Sequence, residues 1–407
     1  MTRPLDGVSV LELTTMIAGP YAGQMLGDLG ADVVKIERPG EGELARGLDP
    51  RVGDESFYYL TANRNKRGLA LDVTGPDGRE VFLDLAESAD VVLMNFPPTF
   101  AERYGIDHET VRERNPELVY CSISAYGATG PYREDAGIDT TVQALSGAMS
   151  MTRTGETPPM RTGIPMNDVF ASLYAVQGIL TALYDRRDSG EGDFVDVALL
   201  DAGVAGLTTR ATYSFATGEP YPPFGRRHNY FAPEGVYEVA DGDVQLSVIT
   251  DRHWRRFCEA IDEPELAADE RFEEVNRRVS NQEALDEQLV DLLADWEVDE
   301  LVAALREAGV PAGRVNDTLS VWEHPQVRAR EMRRTMEHPD AGEVDTLGFP
   351  VKYDRLEPGI DRHPPRLGEH TEEVLEARGY SAAEIDELRE RGSIRVDGTE
   401  QGDDRSG

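Results

Sequence analysis

The length and composition of the chain fit a folded protein of two domains: it has 407 residues, and 40% of them are hydrophobic. With 77 acidic against 41 basic residues the net charge is −36, and no basic stripe remains to neutralise nucleic-acid phosphates. No apolar run reaches the roughly 20 residues of a membrane span and the start lacks a signal-peptide pattern, so we expect a cytoplasmic protein with no nucleic-acid or membrane partner.

The first part of the chain alternates between predicted strands and predicted helices. Short β-rich runs are followed by segments of helical periodicity, and the strands fall at 8–13, 31–37, 68–73, 90–95 and 118–127. Strands of this length separated by helices predict parallel βαβ units and an open, doubly wound α/β sheet. Because ligands bind such sheets at the carboxyl ends of the strands, we expect the site in the turns after residues 13, 37, 73, 95 and 124.

These turns carry residues suited to a nucleotide-like ligand. They include Arg38, Thr74, Asn95, Phe96 and Arg103. Glycines in the same turns allow a close approach of the backbone to a ligand. No GxGxxG follows a strand and no GxxxxGK(S/T) occurs, which disfavours a dinucleotide or P-loop ATP site. Taken singly, each turn is also consistent with an ordinary connecting loop.

A long helix is predicted in GIPMNDVFASLYAVQGILTALYDRR, residues 163–187, with Asp168 near its start. One apolar stripe and one stripe of small residues predict that two faces of this helix are buried, so we expect it to be central. Within residues 163–187, Asp168 is the only acidic residue before Asp185. Two interpretations are open: with Asn167 it caps the helix and complements its dipole, or it is a reactive carboxylate held rigidly there.

The rest of the chain predicts a smaller domain. After a strand at 194–199 and a helix to about residue 215, the proline- and glycine-rich run 218–225 is typical of a linker. A hairpin at 235–248 and helices up to Ala308 indicate an α+β domain. The predicted bounds are 1–217 for the large domain, 218–330 for the small domain with its linker, 331–394 for a C-terminal part and 395–407 for an acidic, disordered tail.

The lysine content indicates a saline habitat, and the cysteine and histidine content disfavours a metal site. Only three basic residues are lysines, Lys35, Lys66 and Lys352, and an acidic surface poor in lysine is typical of extreme halophiles. Cys121 and Cys258 lie far apart, and the seven histidines form no HExxH motif. We therefore predict neither a metal site nor a disulfide framework.

Several motifs between residues 4 and 393 together resemble those of one family. They are DGVSVLELTTMIAGPYAGQMLGDLGADVVKIERPG, LALDV, NFPPTFAERYGID, GATGPY, the pair Asn167–Asp168, AGVPAGRVN, HPQVRAR and LGEHTEEVLEARGYS. In this order they resemble the class III CoA-transferase family, which includes formyl-CoA and carnitine CoA-transferases and the α-methylacyl-CoA racemases. The resemblance implies a Rossmann-like large domain to which 331–394 returns, a smaller domain, and an interlocked homodimer.

The same resemblance implies a covalent mechanism in which coenzyme A takes part as the acyl-CoA substrate, without a metal. Asp168 matches the family's catalytic aspartate, which attacks an acyl-CoA thioester to give a mixed anhydride and then an aspartyl-CoA thioester. Backbone amides near the helix start or a small-domain loop are expected to stabilise the oxyanion. The positions that match CoA contacts are Ile17, Ala18, Arg38, Leu71, Thr74, Asn95, Phe96, Arg103, Gly137, Ile138 and Asp139.

Two departures from the family's motifs bear on the reaction. The racemases carry a GHD motif, and here the segment is Gly137-Ile138-Asp139. Isoleucine moves no proton, which favours acyl exchange over racemisation. The glycine run of formyl-CoA transferase is also missing, which disfavours formyl or oxalate transfer.

The substrates that we expect are succinyl-CoA as donor and a C4 or C5 dicarboxylate as acceptor, such as mesaconate, itaconate or malate. Haloarchaeal members of the family suggest succinyl-CoA:mesaconate exchange. Four basic residues are candidates for holding a second substrate carboxylate, although a surface cluster is as good an interpretation: Arg46, Arg226, Arg227 and His228. A racemase-like enzyme and a non-catalytic CoA-binding protein remain as alternatives.

Overall fold

The computed structural model describes residues 3–153, 157–223, 225 and 227–397. They divide into two units. The larger takes the described residues of 1–146, 163–208 and 330–407, and the smaller takes those of 147–162 and 209–329. The described residues of 147–162 and residues 209–217 thus group with the smaller unit, whereas the sequence analysis predicts that they belong to the large domain. Residues 398–407 of the predicted tail lie outside the described residues.

The larger unit begins with alternating strands and helices. Its strands are β1 (Ser9–Leu13), β2 (Asp32–Glu37), β3 (Arg51–Val52), β4 (Glu55–Ser56), β5 (Lys66–Leu71), β6 (Val91–Met94), β7 (Val119–Ser124) and β8 (Phe194–Ala198). Its helices are α1 (Ala18–Asp28), α2 (Phe57–Ala62), α3 (Pro76–Ala86), α4 (Pro98–Tyr104), α5 (His108–Arg114), α6 (Asp139–Leu145), α7 (Met166–Ser189) and α8 (Leu199–Gly206).

The smaller unit is built on an antiparallel sheet with helices around it. Its elements are α9 (Thr209–Thr217), β9 (Glu234–Val239), β10 (Gly242–Ser247), α10 (Asp251–Ala260), α11 (Pro264–Ala267), α12 (Val275–Ser280), α13 (Gln282–Leu293), α14 (Val298–Glu307), β11 (Ala312–Arg314) and α15 (Pro325–Ala329). The strands pair in the order β11-β10-β9, and β9 and β10 form a hairpin. Trp254, Phe257 and Phe272 lie fully buried in its core.

The chain then returns to the larger unit. The elements there are β12 (Arg333–His338), β13 (Gly342–Leu347), α16 (Thr371–Arg378), α17 (Ala382–Glu390) and β14 (Ile394–Arg395). Strand β14 pairs antiparallel with β5 and completes a seven-stranded sheet in the order β14-β5-β2-β1-β6-β7-β8, whose other pairs are all parallel. This confirms the predicted α/β fold with a mainly parallel sheet.

Both faces of this sheet are covered, so the residues of β1, β2, β5, β6 and β7 are almost continuously buried. One core joins the sheet to α3, α5, α16 and α17, and the other joins it to α1, α6, α7 and α8. Among the described residues, no helix combines the length and apolar character needed to cross a bilayer.

A cluster of charges is buried beneath the start of α1. Glu12 on β1, Lys35 on β2 and Lys66 on β5 are each fully buried. The Lys66 Nζ lies 2.8 Å from Glu12 Oε2, and the Lys35 Nζ lies 3.4 Å from Glu12 Oε1. Helix α1 passes over this carboxylate at Gly23, where an added Cβ would lie 1.8 Å from Glu12 Oε2. Two of the three lysines therefore serve the interior of the protein.

Gly23→Ala is expected to destabilise the protein even though alanine is the better helix former by about 1 kcal/mol. The new methyl would force Glu12 away from Lys66, so we expect a net loss of about 2 kcal/mol in the free energy of unfolding, measured with urea in high salt. Gly47→Ala is the control, since a Cβ added at Gly47 would meet no other heavy atom within 4 Å. It should change the stability by less than about 0.5 kcal/mol. Equal stabilities of the two variants would contradict this packing.

Candidate active site

Helix α7 places Asp168 in its first turn. The helix begins at Met166, and its small residues, among them Ala171, Ala175 and Ala182, are buried against the sheet. The stripe of larger apolar residues is less buried than the sequence predicts, because Leu173 is 49% exposed. The side of α7 that carries the small residues therefore holds the start of the helix in place.

Asp168 does not cap this helix. No side chain caps α7 at its N-cap residue, Pro165, and no hydrogen bond reaches the Asp168 carboxylate from the residues that the structure describes. The nearby acid Asp139 takes the donors instead: its Oδ1 accepts from the Asn167 backbone N–H at 2.8 Å, and its Oδ2 accepts from Gln143 Nε2 at 2.6 Å. The prediction that Asp168 and Asn167 cap the helix by side-chain hydrogen bonds is therefore wrong, although Asp168 does lie in the first turn, where its charge complements the helix dipole.

The surroundings of Asp168 favour its neutral form. Burial, together with the negative charge of Asp139, raises the pKa of Asp168 to about 7. Burial first, and then the charges of Asp168 and Asp139, also raise the pKa of the Tyr58 phenol. A carboxylate that is poorly solvated and lacks donors is typical of a reactive group.

The start of α1 is joined directly to the start of α7. Ser172 Oγ lies 2.7 Å from the Ala18 carbonyl oxygen and 2.7 Å from the Asp168 carbonyl oxygen. Ile17 is the N-cap residue of α1 and Ala18 its first residue. The structure thus brings these two predicted residues to the helix turn that carries Asp168.

The other predicted CoA contacts follow the carboxyl ends of β2, β5, β6 and β7, which lie at one edge of the sheet. Among them Arg38, Thr74, Arg103 and Ile138 are exposed. Arg38 Nε donates to the Gly42 carbonyl at 3.0 Å, and its guanidinium also pairs with an exposed acid. These four side chains are placed where a ligand at this edge of the sheet can reach them.

Three further predicted contacts serve the fold in this structure. Leu71 is 1% exposed and belongs to the core on one face of the sheet. Phe96 stacks on Phe100 with the ring centroids 4.7 Å apart. The Asn95 amide forms two hydrogen bonds with the Thr15 backbone, at 2.8 Å to its N–H and 2.7 Å to its carbonyl.

Gly137 is needed for close packing before α6. An added Cβ there would lie 2.6 Å from the Ala125 Cβ. Asp139, two residues further on, is 9% exposed and faces the start of α7, as described above.

The candidates for a second substrate carboxylate are differently placed. Arg46 is held inside the larger unit: it donates to both oxygens of Glu37, at 2.8 and 2.7 Å, and stacks over Tyr59 at 3.7 Å. Although burial acts to raise it, Arg46 and Lys35 lower the pKa of Glu37 to about 2. The guanidinium of Arg46 is therefore engaged by the fold.

The other three candidates belong to the smaller unit. Arg227 Nε lies 2.5 Å from Asp286 Oδ2. His228 is partly buried and stacks on Phe231 with centroids 5.0 Å apart. Arg226 lies outside the described residues.

Sequence reasoning missed Ser172 and Tyr58. Ser172 follows Asp168 by four residues, so helical spacing alone would have placed both on one face of α7. Tyr58 offers no such signal, because 110 residues separate it from Asp168. Within the described part of the chain, no group of three or more His, Cys, Asp or Glu side chains is arranged to hold a metal ion.

Comparison with known proteins identifies the family. The model of CoA-transferase family III matches residues 5–371, so the chain belongs to this family of enzymes. A crystal structure of a CAIB/BAIF family protein from Brucella suis superposes with a TM-score of 0.85 and 35% sequence identity, over 93% of this chain and 100% of that one. The chain is a CoA-transferase, and the family uses CoA thioesters as substrates.

Similar curated proteins exchange CoA between small acids. The chain is 36% identical to the succinate–glutarate CoA-transferase of Agrobacterium fabrum, over 91% of this chain and 95% of that protein. It is 38% identical to the succinyl-CoA:mesaconate CoA-transferase of Haloarcula hispanica, over 92% and 96%. It is 34% identical to the human succinyl-CoA:glutarate CoA-transferase, over 96% and 90%.

Asp168→Asn is expected to stabilise the protein at pH 8. Because the pKa of Asp168 is about 7 when folded against an ordinary value of 3.8, the folded state holds the extra proton between these values. The free energy of unfolding of the native protein therefore falls as the pH rises from about 4 to about 7. Asparagine does not ionise, so we expect the free energy of unfolding of the variant to exceed that of the native protein by about 2 kcal/mol at pH 8. The difference should vanish toward pH 4, as measured by urea unfolding in high salt.

Asp188→Asn is the matched control, since Asp188 is an exposed residue at the other end of α7. It should change the stability by less than about 0.5 kcal/mol at every pH. A gain for Asp168→Asn that is the same at pH 4 and pH 8 would contradict the raised pKa.

Proposed function

We propose that the enzyme transfers CoA from succinyl-CoA to a C4 or C5 dicarboxylate such as mesaconate, through an aspartyl-CoA thioester at Asp168. The observation that carries this proposal is the Asp168 carboxylate, partly buried at the start of α7 without a hydrogen bond from the described residues. Three relatives support the donor, since their names give succinyl-CoA with mesaconate, glutarate or D-citramalate.

The proposed reaction consists of four balanced acyl transfers. Asp168 attacks the thioester carbonyl of succinyl-CoA, and the C–S bond breaks to give a mixed anhydride and CoA thiolate. The thiolate attacks the Asp168 carbonyl and releases succinate, which leaves the aspartyl-CoA thioester. The acceptor carboxylate attacks this thioester to form a second anhydride, and the released thiolate then attacks the acceptor's carbonyl. Asp168 is regenerated, and one thioester has replaced another.

Two features of the larger unit suit this chemistry. Burial keeps the Asp168 carboxylate poorly solvated, and its pKa of about 7 still leaves a substantial fraction of it ionised near neutral pH. The partial positive charge at the start of α7 favours the negative charge that develops on each tetrahedral intermediate. Both features act at the reacting carbonyl.

CoA itself is proposed to lie along the carboxyl edge of the parallel sheet. The exposed guanidinium groups of Arg38 and Arg103 suit its phosphates. For the second carboxylate of a dicarboxylate, Arg226, Arg227 and His228 remain candidates. Arg46 is the least suited, because Glu37 and Tyr59 already engage its guanidinium.

We also propose that the enzyme is the interlocked homodimer that the resemblance implies. Exposed apolar side chains of the larger unit support it: Leu173, Tyr174 and Tyr184 on α7 and Val204 on α8 are 43–69% exposed. Strand β8 next to them is an edge strand of the sheet. Light scattering in high salt should give twice the chain mass of 44.9 kDa.

Incubation with succinyl-CoA, followed by hydroxylamine or borohydride trapping and intact-protein mass, is expected to show an adduct that peptide mapping places at Asp168. Asp168→Asn should form no adduct and should lower the exchange rate with mesaconate by about 10³-fold or more. Asp188→Asn should retain both. If no adduct forms in the native enzyme while an α-methylacyl-CoA exchanges its α-proton in heavy water, the transferase proposal fails and racemisation takes its place.

A further inference from the structure

Side chains from distant parts of the chain hold the β1–α1 turn, residues 14–17. Lys35 Nζ donates to the Thr14 carbonyl at 3.1 Å. The Asn95 amide binds both the N–H and the carbonyl of Thr15, at 2.8 and 2.7 Å. The Met16 N–H donates to Glu43 Oε2 at 2.8 Å. Four consecutive polar groups of this backbone are thus bound by side chains and not by regular secondary structure.

Met16 adopts a backbone conformation that is unfavourable for its residue type. Its φ of 68° lies in the left-handed region, which residues other than glycine seldom occupy. Such a conformation persists only where the surrounding structure over-determines it, and it is often found at functional sites. The hydrogen bonds of Glu43 and Asn95 to the two residues 15 and 16 provide that restraint.

Glu43 is itself held in place by its neighbours. It is 9% exposed, and its Oε1 lies 2.9 Å from Lys35 Nζ. Its own N–H donates to Glu37 Oε2 at 3.1 Å. The Glu43 carboxylate that accepts from Met16 is therefore joined through Lys35 to the buried cluster of Glu12, Lys35 and Lys66.

The restrained turn leads directly to the helix start beside Asp168. Ile17 and Ala18 follow Met16, and the Ala18 carbonyl accepts from Ser172 in the first turns of α7. A change in the φ of Met16 would rotate the N–H groups of the next residues relative to Asp168. A displacement of the reacting groups by about 1 Å lowers the rate of the reaction between them by a large factor.

We propose that Glu43 and Asn95 are positioning residues, which lock the β1–α1 turn in its left-handed conformation so that the start of α1 faces the thioester at Asp168. This inference rests on the proposed function. It also gives Asn95 a role other than the CoA contact that the resemblance implies, because both ends of its amide are bound to Thr15.

The test compares exchange kinetics of Glu43→Ala, Asn95→Ala and the double variant Glu43→Ala/Met16→Gly with the native enzyme, using succinyl-CoA and mesaconate. Loss of the restraint should lower kcat by about 10- to 100-fold and leave KM for succinyl-CoA within about threefold. Glycine adopts a positive φ without cost, so the kcat of the double variant should be about tenfold higher than that of Glu43→Ala. A purely structural role would not give that rescue.

Asp28→Asn is the control for the loss of a buried ion pair. Asp28 pairs with Arg64 at 2.6 Å at the far end of α1 and makes no bond to the β1–α1 turn. This variant should lower the melting temperature and keep kcat within about twofold. If it loses kcat as Glu43→Ala does, the effect is one of general destabilisation and the inference is overturned.

Should Glu43→Ala fail to fold, Met16→Val and Met16→Leu test the same point without touching the buried charges. A β-branched residue tolerates positive φ poorly, so Met16→Val should have a kcat about tenfold below that of Met16→Leu. Equal kcat values for the two, or an unchanged kcat in Glu43→Ala, would overturn the inference alone. A native enzyme without exchange activity on any dicarboxylate would overturn the proposed function and this inference with it.

Discussion

The larger unit depends on the pairing of charges that its sheet buries. Glu12, Lys35 and Lys66 come from three adjacent strands and are fully buried, and the desolvation of each is offset only if its partners stay in place. The same pairing extends through Glu43 to the turn before α1 and through Gly23 to the path of that helix. In a chain with only three lysines, two are committed to this position. The register of β1, β2 and β5 and the position of the turn are therefore fixed together.

A difference in hydrogen bonding separates the structural acids of this region from the reactive one. Asp139 and Glu43 are buried and have their oxygens bound by donors, so each carboxyl group is held in one geometry. Asp168 lies near Asp139 without such donors, and Asp139 adds its repulsion to the effect of burial. The neighbours that cap and orient the helices thus leave Asp168 as the carboxylate available for chemistry.

Sequence reasoning recovered what is local and missed what depends on distant contacts. Hydrophobic periodicity located β1, β2, β6 and β8 to within about two residues, and the long pattern of α7 located Asp168. The hairpin β12–β13 was not predicted, because its strands are mostly polar and bury only Met336, His338 and Val344. Arg46 also donates to the Pro365 carbonyl, at 2.9 Å, and Asn95 binds Thr15; these two partners lie 319 and 80 residues away, so spacing along the sequence could not have predicted them.

The most direct test of covalent transfer through Asp168 follows oxygen atoms. The enzyme is turned over with succinyl-CoA and a dicarboxylate labelled with ¹⁸O in both carboxyl groups, then digested, and the peptide that contains Asp168 is weighed. When CoA thiolate attacks the acceptor's carbonyl, the bridging oxygen of the anhydride stays on the aspartate, so the account predicts ¹⁸O in the Asp168 carboxyl and, after further turnovers, in the released succinate. Formation of the new acyl-CoA with no ¹⁸O in that peptide would contradict it.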